Sequence, residues 1–199
     1  LAMKITKTQL RKIITEELDA SILDQQLDSS LEDLVSTFGK QAQVAVQKGK
    51  GEEEKLEEVA ILTAAGIALV IPALMKMISG AARIVNIGIK KMSKGGDKSA
   101  AVKAFADWME GNGEKLHHKY ISVFTAIAKN VFRIEDDEDA ERVGKAMYYL
   151  LIAALAVTSG VGAAHAAEHA HIPMASLETA LTAIKGGELQ LYLSRAVPV

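Results

Sequence analysis

Two stretches dominate the hydrophobic pattern. Val59 to Met75, VAILTAAGIALVIPALM, carries no charge, and Ala146 to Ala167 is nearly as apolar. Each must be removed from water, because burial of apolar surface is the main favourable term in folding. Around them the pattern is amphipathic. Thr6 or Thr8 can cap a first helix through Leu18, with Leu10, Ile13, Ile14 and Leu18 on one face and charges on the other. From Ser21 to about Lys48, Leu23, Leu27, Leu31, Leu34 and Phe38 follow in steps of four and three, drawing one stripe along a long helix. An ordinary packing face in a bundle explains that stripe better than a coiled-coil seam, which needs more sustained heptads.

Breaks and entries divide the chain. Gly49, Lys50 and Gly51 interrupt the long stripe, and Glu52, Glu53, Glu54, Glu57 and Glu58 open the first apolar helix, where acidic side chains complement the positive end of the helix dipole. Pro72 is expected to kink or interrupt that helix, since it lacks an N–H and crowds the carbonyl four residues before it. The pattern resumes with Met77, Ile78, Ile84, Val85, Ile87 and Ile89 among Lys76, Arg83, Lys90 and Lys91, a basic amphipathic half. Ser93 to Ser99, SKGGDKS, reads as a linker. A short helix over Val102 to Met109 should end at Gly111-Asn112-Gly113. Leu116, Tyr120, Val123, Phe124, Ile127 and Val131 mark the next amphipathic helix, and Glu135 to Asp139 open the second apolar one. A helix over Ala175 to Ile184 should stop at Gly186-Gly187, and the alternation of Leu189, Leu191 and Leu193 suits a short strand or a laid-down arm.

The predicted fold class is all-α, a multi-helix bundle with two long apolar helices. Its regions are an N-terminal amphipathic part (1–49), the first apolar helix with its basic continuation (50–92), and a helical part with the second apolar helix and a C-terminal arm (99–199). Composition agrees: 49% of the 199 residues are hydrophobic but only 5% are aromatic, so the apolar mass is Ala, Leu, Ile and Val, suited to closely packed helices.

A bilayer is the alternative home for the apolar runs. A spanning helix needs about 20 apolar residues, with roughly 17 to 25 tolerated, and both runs reach that length. Gly66, Gly160 and Gly162 with Ala64, Ala163 and Ala164 offer the small surfaces on which membrane helices approach. Alanine contributes little transfer energy, however, and Thr158, Ser159 and His165 interrupt the second run. A charge at Ala68 or Ala154 is expected to be costly in either medium. The stretch after Met3 shows no secretory signal, because Gln9, Arg11, Lys12, Glu16 and Glu17 break every apolar run.

Charge and residue types narrow the chemistry. With 23 basic and 25 acidic residues the formal charge is −2, which offers no global reason to bind nucleic acid, and no specific nucleic-acid partner is expected. No cysteine is present, so disulfides, thiolate metal sites and a Cys nucleophile are excluded. The sharpest local pattern is His165-Ala166-Ala167-Glu168-His169, an H-x-x-E-H arrangement in which His165 and His169 share a helical face and could grip a metal, with Glu168 beside them as a base. Only Glu178 and Glu188 lie downstream as a third carboxylate ligand, and the pattern reads first as an ordinary polar helix end; no cofactor is expected. His171 adds a further imidazole. His117 and His118 point to different faces, one beside Tyr120 and one to solvent. Gly95-Gly96 lacks the spacing of a phosphate loop and reads as a turn. Lys90, Lys91, Lys94 and Lys98 form a basic strip able to meet an anionic surface, although a solvated face is the simpler reading.

Met3 to Leu18, MKITKTQLRKIITEEL, resembles a leader found on small virion and hypothetical proteins of marine tailed phages. Within it Ile14-Thr15-Glu16 looks like the hydrophobic-x-Glu site cut by the prohead proteases of large tailed phages. The resemblance implies a virion component, with Glu16 as a processing site and the stripe Leu10, Ile13, Ile14 and Leu18 as an address on other virion proteins or copies of the chain. The leader departs from that pattern in running without a break into the next amphipathic helix. The expectation is therefore a non-enzymatic structural or internal virion protein. A holin-like or ejected membrane protein, whose two apolar runs form a hairpin in a host membrane, is the alternative, and a small zinc hydrolase is a remote one.

Overall fold

A computed structural model describes residues 7–50, 64–93 and 98–196, with side-chain surroundings for 21–48, 67–93 and 99–196. Among the described residues the fold is all-α. The helices are α1 (Lys7–Lys50), α2 (Ala64–Met92), α3 (Lys98–Phe132), α4 (Asp137–Ser159), α5 (Ala163–His169), α6 (Met174–Gly186) and α7 (Leu189–Ala196). They share one apolar core drawn from all three regions read in the sequence.

The centre of the bundle is α4. Its entry is capped by Asp136, whose Oδ1 accepts the backbone N–H groups of Glu138 and Asp139, both at 2.9 Å. Every residue from Leu150 to Ala156 is buried, as expected of a helix that is apolar all round. Among the described residues, every helix except α1 packs against it. Close approach to α3 is set at Gly144, where a Cβ would lie 2.4 Å from Thr125 Oγ1 and 2.8 Å from Thr125 N. Layered outside, α1 runs antiparallel to α2, with Leu34 against Gly80 and Leu27 against Gly88. The expected stripe supplies this contact: Leu27, Leu31 and Phe38 are buried and Leu23 and Leu34 pack at its edge.

The first and second amphipathic segments form one helix, in keeping with the unbroken run past Leu18, because no Gly or Pro separates Leu18 from Ser21. Four expectations are corrected. Pro72 does not interrupt α2, which continues to Met92; Pro72 and Ala68 both face outward, so the carbonyl left without its N–H partner is on the solvent side. Gly111-Asn112-Gly113 does not end a helix. It lies inside α3, where Asn112 Nδ2 donates to Trp108 O at 3.1 Å and Gly113 admits a neighbouring backbone. The run Ala146 to Ala167 is not one helix, since Gly160 turns left-handed (φ 76°) to close α4 and the chain restarts as α5. Finally the C-terminal arm is helical, burying Leu189 and Leu193 four residues apart and leaving Leu191 exposed, a spacing of 3.6 rather than 2. The stop of α6 at Gly187 (φ 70°) follows expectation. The acidic entry Glu52 to Glu58 and the Gly95-Gly96 turn lie outside the described residues.

Candidate functional site

The two sequence-marked histidines of α5 lie against α3. After Gly160 the chain turns back, and the last turn of α5 presses on α3 so closely that a Cβ on Gly113 would be 1.7 Å from the carbonyl oxygen of His169. Only glycine permits that approach. Glu110 stands three residues before Gly113, on the same face of α3. Its carboxylate converges with His165 and His169, one donor atom of each lying within 4.8 Å of the others. The two imidazoles have ring centroids 4.3 Å apart at an interplanar angle of 59°. His165 Nε2 is buried and has no hydrogen-bond partner.

The structure redistributes the other expected roles. Glu168, the general base of the H-x-x-E-H reading, is exposed and is not among the converging donors. Glu178 and Glu188 line a separate groove with Arg195, so the carboxylate that joins the histidines is Glu110, from upstream. Sequence reasoning missed Glu110 because the motif lies on α5 and the carboxylate on α3.

A second cluster surrounds His117. Its Nδ1 lies 3.2 Å from Ala170 O, which also accepts the Tyr148 hydroxyl at 3.2 Å. The His117 ring meets Tyr148 edge-on at 5.5 Å rather than Tyr120, which corrects the expected neighbour, while His118 is exposed as expected. Partial burial holds the His117 imidazole below its ordinary range, with His118, His171 and Lys145 adding like-charge repulsion. His171 itself adopts a left-handed backbone (φ 54°), where the chain leaves α5 for Pro173.

Polar pairs set the parallel register of α1 and α3. Asp24, Asp28 and Glu32 repeat every four residues on α1. Asp24 accepts from Trp108 Nε1 at 2.5 Å and Asn112 Nδ2 at 3.1 Å, Asp28 pairs with Lys115, and Glu32 pairs with Lys119. The bond to Asp28 raises the Lys115 pKa.

On the outer side, α2 exposes an apolar half-face. Ala68, Leu69, Pro72 and Met75 point outward, next to Val44 of α1, with which Leu69 and Pro72 line a shallow groove. Farther along, the same outward row becomes Lys76, Ser79, Arg83, Asn86 and Lys90 with Ile87. Of the basic strip, Lys90 is exposed and Lys91 bonds to Gln26, while the side chains of Lys94 and Lys98 lie outside the described residues. So do those of Leu10, Ile13, Ile14, Glu16 and Leu18, although the backbone from Lys7 onward belongs to α1.

Among the described residues one helical stretch, Ile67–Met92, is long and apolar enough to cross a membrane by length and composition, and 33% of its apolar window is buried in the bundle. In comparisons with protein-family models, curated proteins and solved structures, the chain matches none.

Proposed function

We propose that the chain is a non-enzymatic assembly protein, a structural or internal component of a tailed-phage virion that acts by packing helices against copies of itself or neighbouring virion proteins. The observation that carries the assembly reading is the outward half-face of α2, where Leu69, 41% exposed, shares a groove with Val44 at 48%, and Met75 farther along is 49% exposed. Contiguous exposed apolar side chains mark interaction surfaces more often than scattered ones do. The virion address rests on the resemblance of Met3 to Leu18, whose stripe Leu10, Ile13, Ile14 and Leu18 suits a helix laid in a partner's groove.

Two measurements test the reading. Deleting Met3 to Leu18 should leave the helical signal per residue nearly unchanged while abolishing incorporation into particles; undiminished incorporation overturns the address. Leu69→Asp with Met75→Asp should convert the self-associated protein to monomers in multi-angle light scattering, with the bundle still folded.

The same half-face favours one second reading, insertion of α2 into a host membrane. The two-helix hairpin is no longer the form it would take, because the second run is split at Gly160 and its first part is the core helix. Flotation with liposomes separates the readings: co-floating protein, with flotation lost in Leu69→Asp, supports the membrane, and a soluble oligomer that never floats supports assembly.

A further inference from the structure

We propose that Glu110, His165 and His169 form a binding site for one divalent transition-metal ion of the zinc class, which clamps α5 to α3. This is independent of the assembly reading. Three observations from different parts of the chain meet here. The donor atoms converge within 4.8 Å although they come from two helices. The buried His165 Nε2 lacks a partner, and in the tautomer protonated at Nδ1 it presents a lone pair that a cation can take. The contact of Gly113 with the His169 carbonyl holds the two helices together at this point, so the site is assembled by backbone packing before any ion arrives.

The donor set selects the metal. Two imidazoles and one carboxylate suit zinc and its neighbours, whereas calcium and magnesium require a shell of oxygens. Zinc binds nitrogen and oxygen at roughly 2.0 to 2.2 Å in a tetrahedron, which places ligand atoms roughly 3.4 Å apart. Glu110 is exposed, and the three donors, now within 4.8 Å of one another, would draw together to that spacing on binding. The fourth position is left to water. Glu168 is exposed and is not among the converging donors, and the ion's role is to hold α5 against α3.

The test uses the full chain without a polyhistidine tag, stripped with a chelator and titrated with Zn²⁺ by calorimetry. One ion per chain is expected, with a thermal midpoint that rises with zinc concentration. Glu110→Gln, an exposed position whose replacement spares the fold, should weaken binding by at least about tenfold, the smallest loss seen even when outer partners of metal ligands are removed. His169→Ala should abolish it, and His118→Ala should leave it unchanged. Absence of binding overturns the site. So does zinc binding that Glu110→Gln leaves intact, which would reduce the pattern to a pair of adjacent histidines on α5.

Discussion

The first and second apolar runs look alike in the sequence, yet α2 and α4 have opposite fates. Packed by α2, α3, α5, α6 and α7, α4 shows water almost nothing from Leu150 to Ala156. In contrast, α2 packs its inner row, Ile67, Val70, Leu74, Met77, Ala81 and Val85, and turns Leu69, Met75 and Ile87 outward. Hydrophobicity therefore says that a segment must leave water in some state of the protein, and whether its neighbours enclose every side of it decides whether the monomer already achieves it. The helix with surplus apolar surface is the one available for a partner.

Introducing a charge gives the sharpest separation. Ala154→Asp would bury an unpaired carboxylate among apolar helices and should prevent folding, seen as loss of the cooperative transition in circular dichroism. Ala68→Asp, on the exposed side of α2, should change stability by no more than about 0.5 kcal/mol. The expectation that a charge at either site is costly is thus kept for Ala154 and replaced for the exposed Ala68, and equal damage at Ala68 would show that α2 is covered in the folded protein.

Truncation should follow the same order at smaller size. Leu151→Ala removes a fully buried side chain and should cost about 2 to 5 kcal/mol by urea denaturation. Leu69→Ala, at 41% exposure, should cost less than about 1 kcal/mol. A loss at Leu69 that grows with protein concentration would report the partner contact itself.

The glycines of the two helices give a finer comparison. Gly144→Ala drives a methyl group into the backbone of Thr125 and should destabilise by about 1 to 3 kcal/mol. Gly80→Ala meets only Leu34 Cδ1, at 2.3 Å, the mobile end of a half-buried side chain. Its cost should be largely offset by the gain of about 1 kcal/mol that alanine brings to a helix interior. A Gly80→Ala variant as unstable as Gly144→Ala would mean that the α1–α2 seam is as rigid as the α3–α4 seam.

The smallest expected effect is a pH dependence confined to the α4 side. His117, packed on Tyr148, has a folded pKa below the ordinary 6.5, so the unfolded chain binds its proton more readily. Stability should accordingly be full above 6.5 and fall as pH drops through 6.5 toward the lower folded value. His117→Gln should flatten that fall in thermal midpoints measured across this range, whereas the outward row of α2 carries only Lys and Arg and contributes nothing there.

What the sequence determined by itself was local. Periodicities near 3.6 residues placed α1 and the later part of α3; Gly186-Gly187 marked the end of α6, the acidic entry Glu135 to Asp139 marked the start of α4, and the four-residue spacing of His165 and His169 put both on one face. Each depends on side chains within one or two turns of each other, so the information is contiguous in the chain. Tertiary structure decided the rest. Gly113 reads as a helix stop until the backbone of His169 is laid against it, and Leu189, Leu191 and Leu193 fit a strand as well as a helix until a core claims the first and third. Glu110 joins the histidines only because α5 folds back onto α3. The exposure of α2 and the enclosure of α4 belong to the same class: two apolar runs differ in whether neighbours cover every side or leave one open, and that is a property of the packed chain rather than of any segment in it.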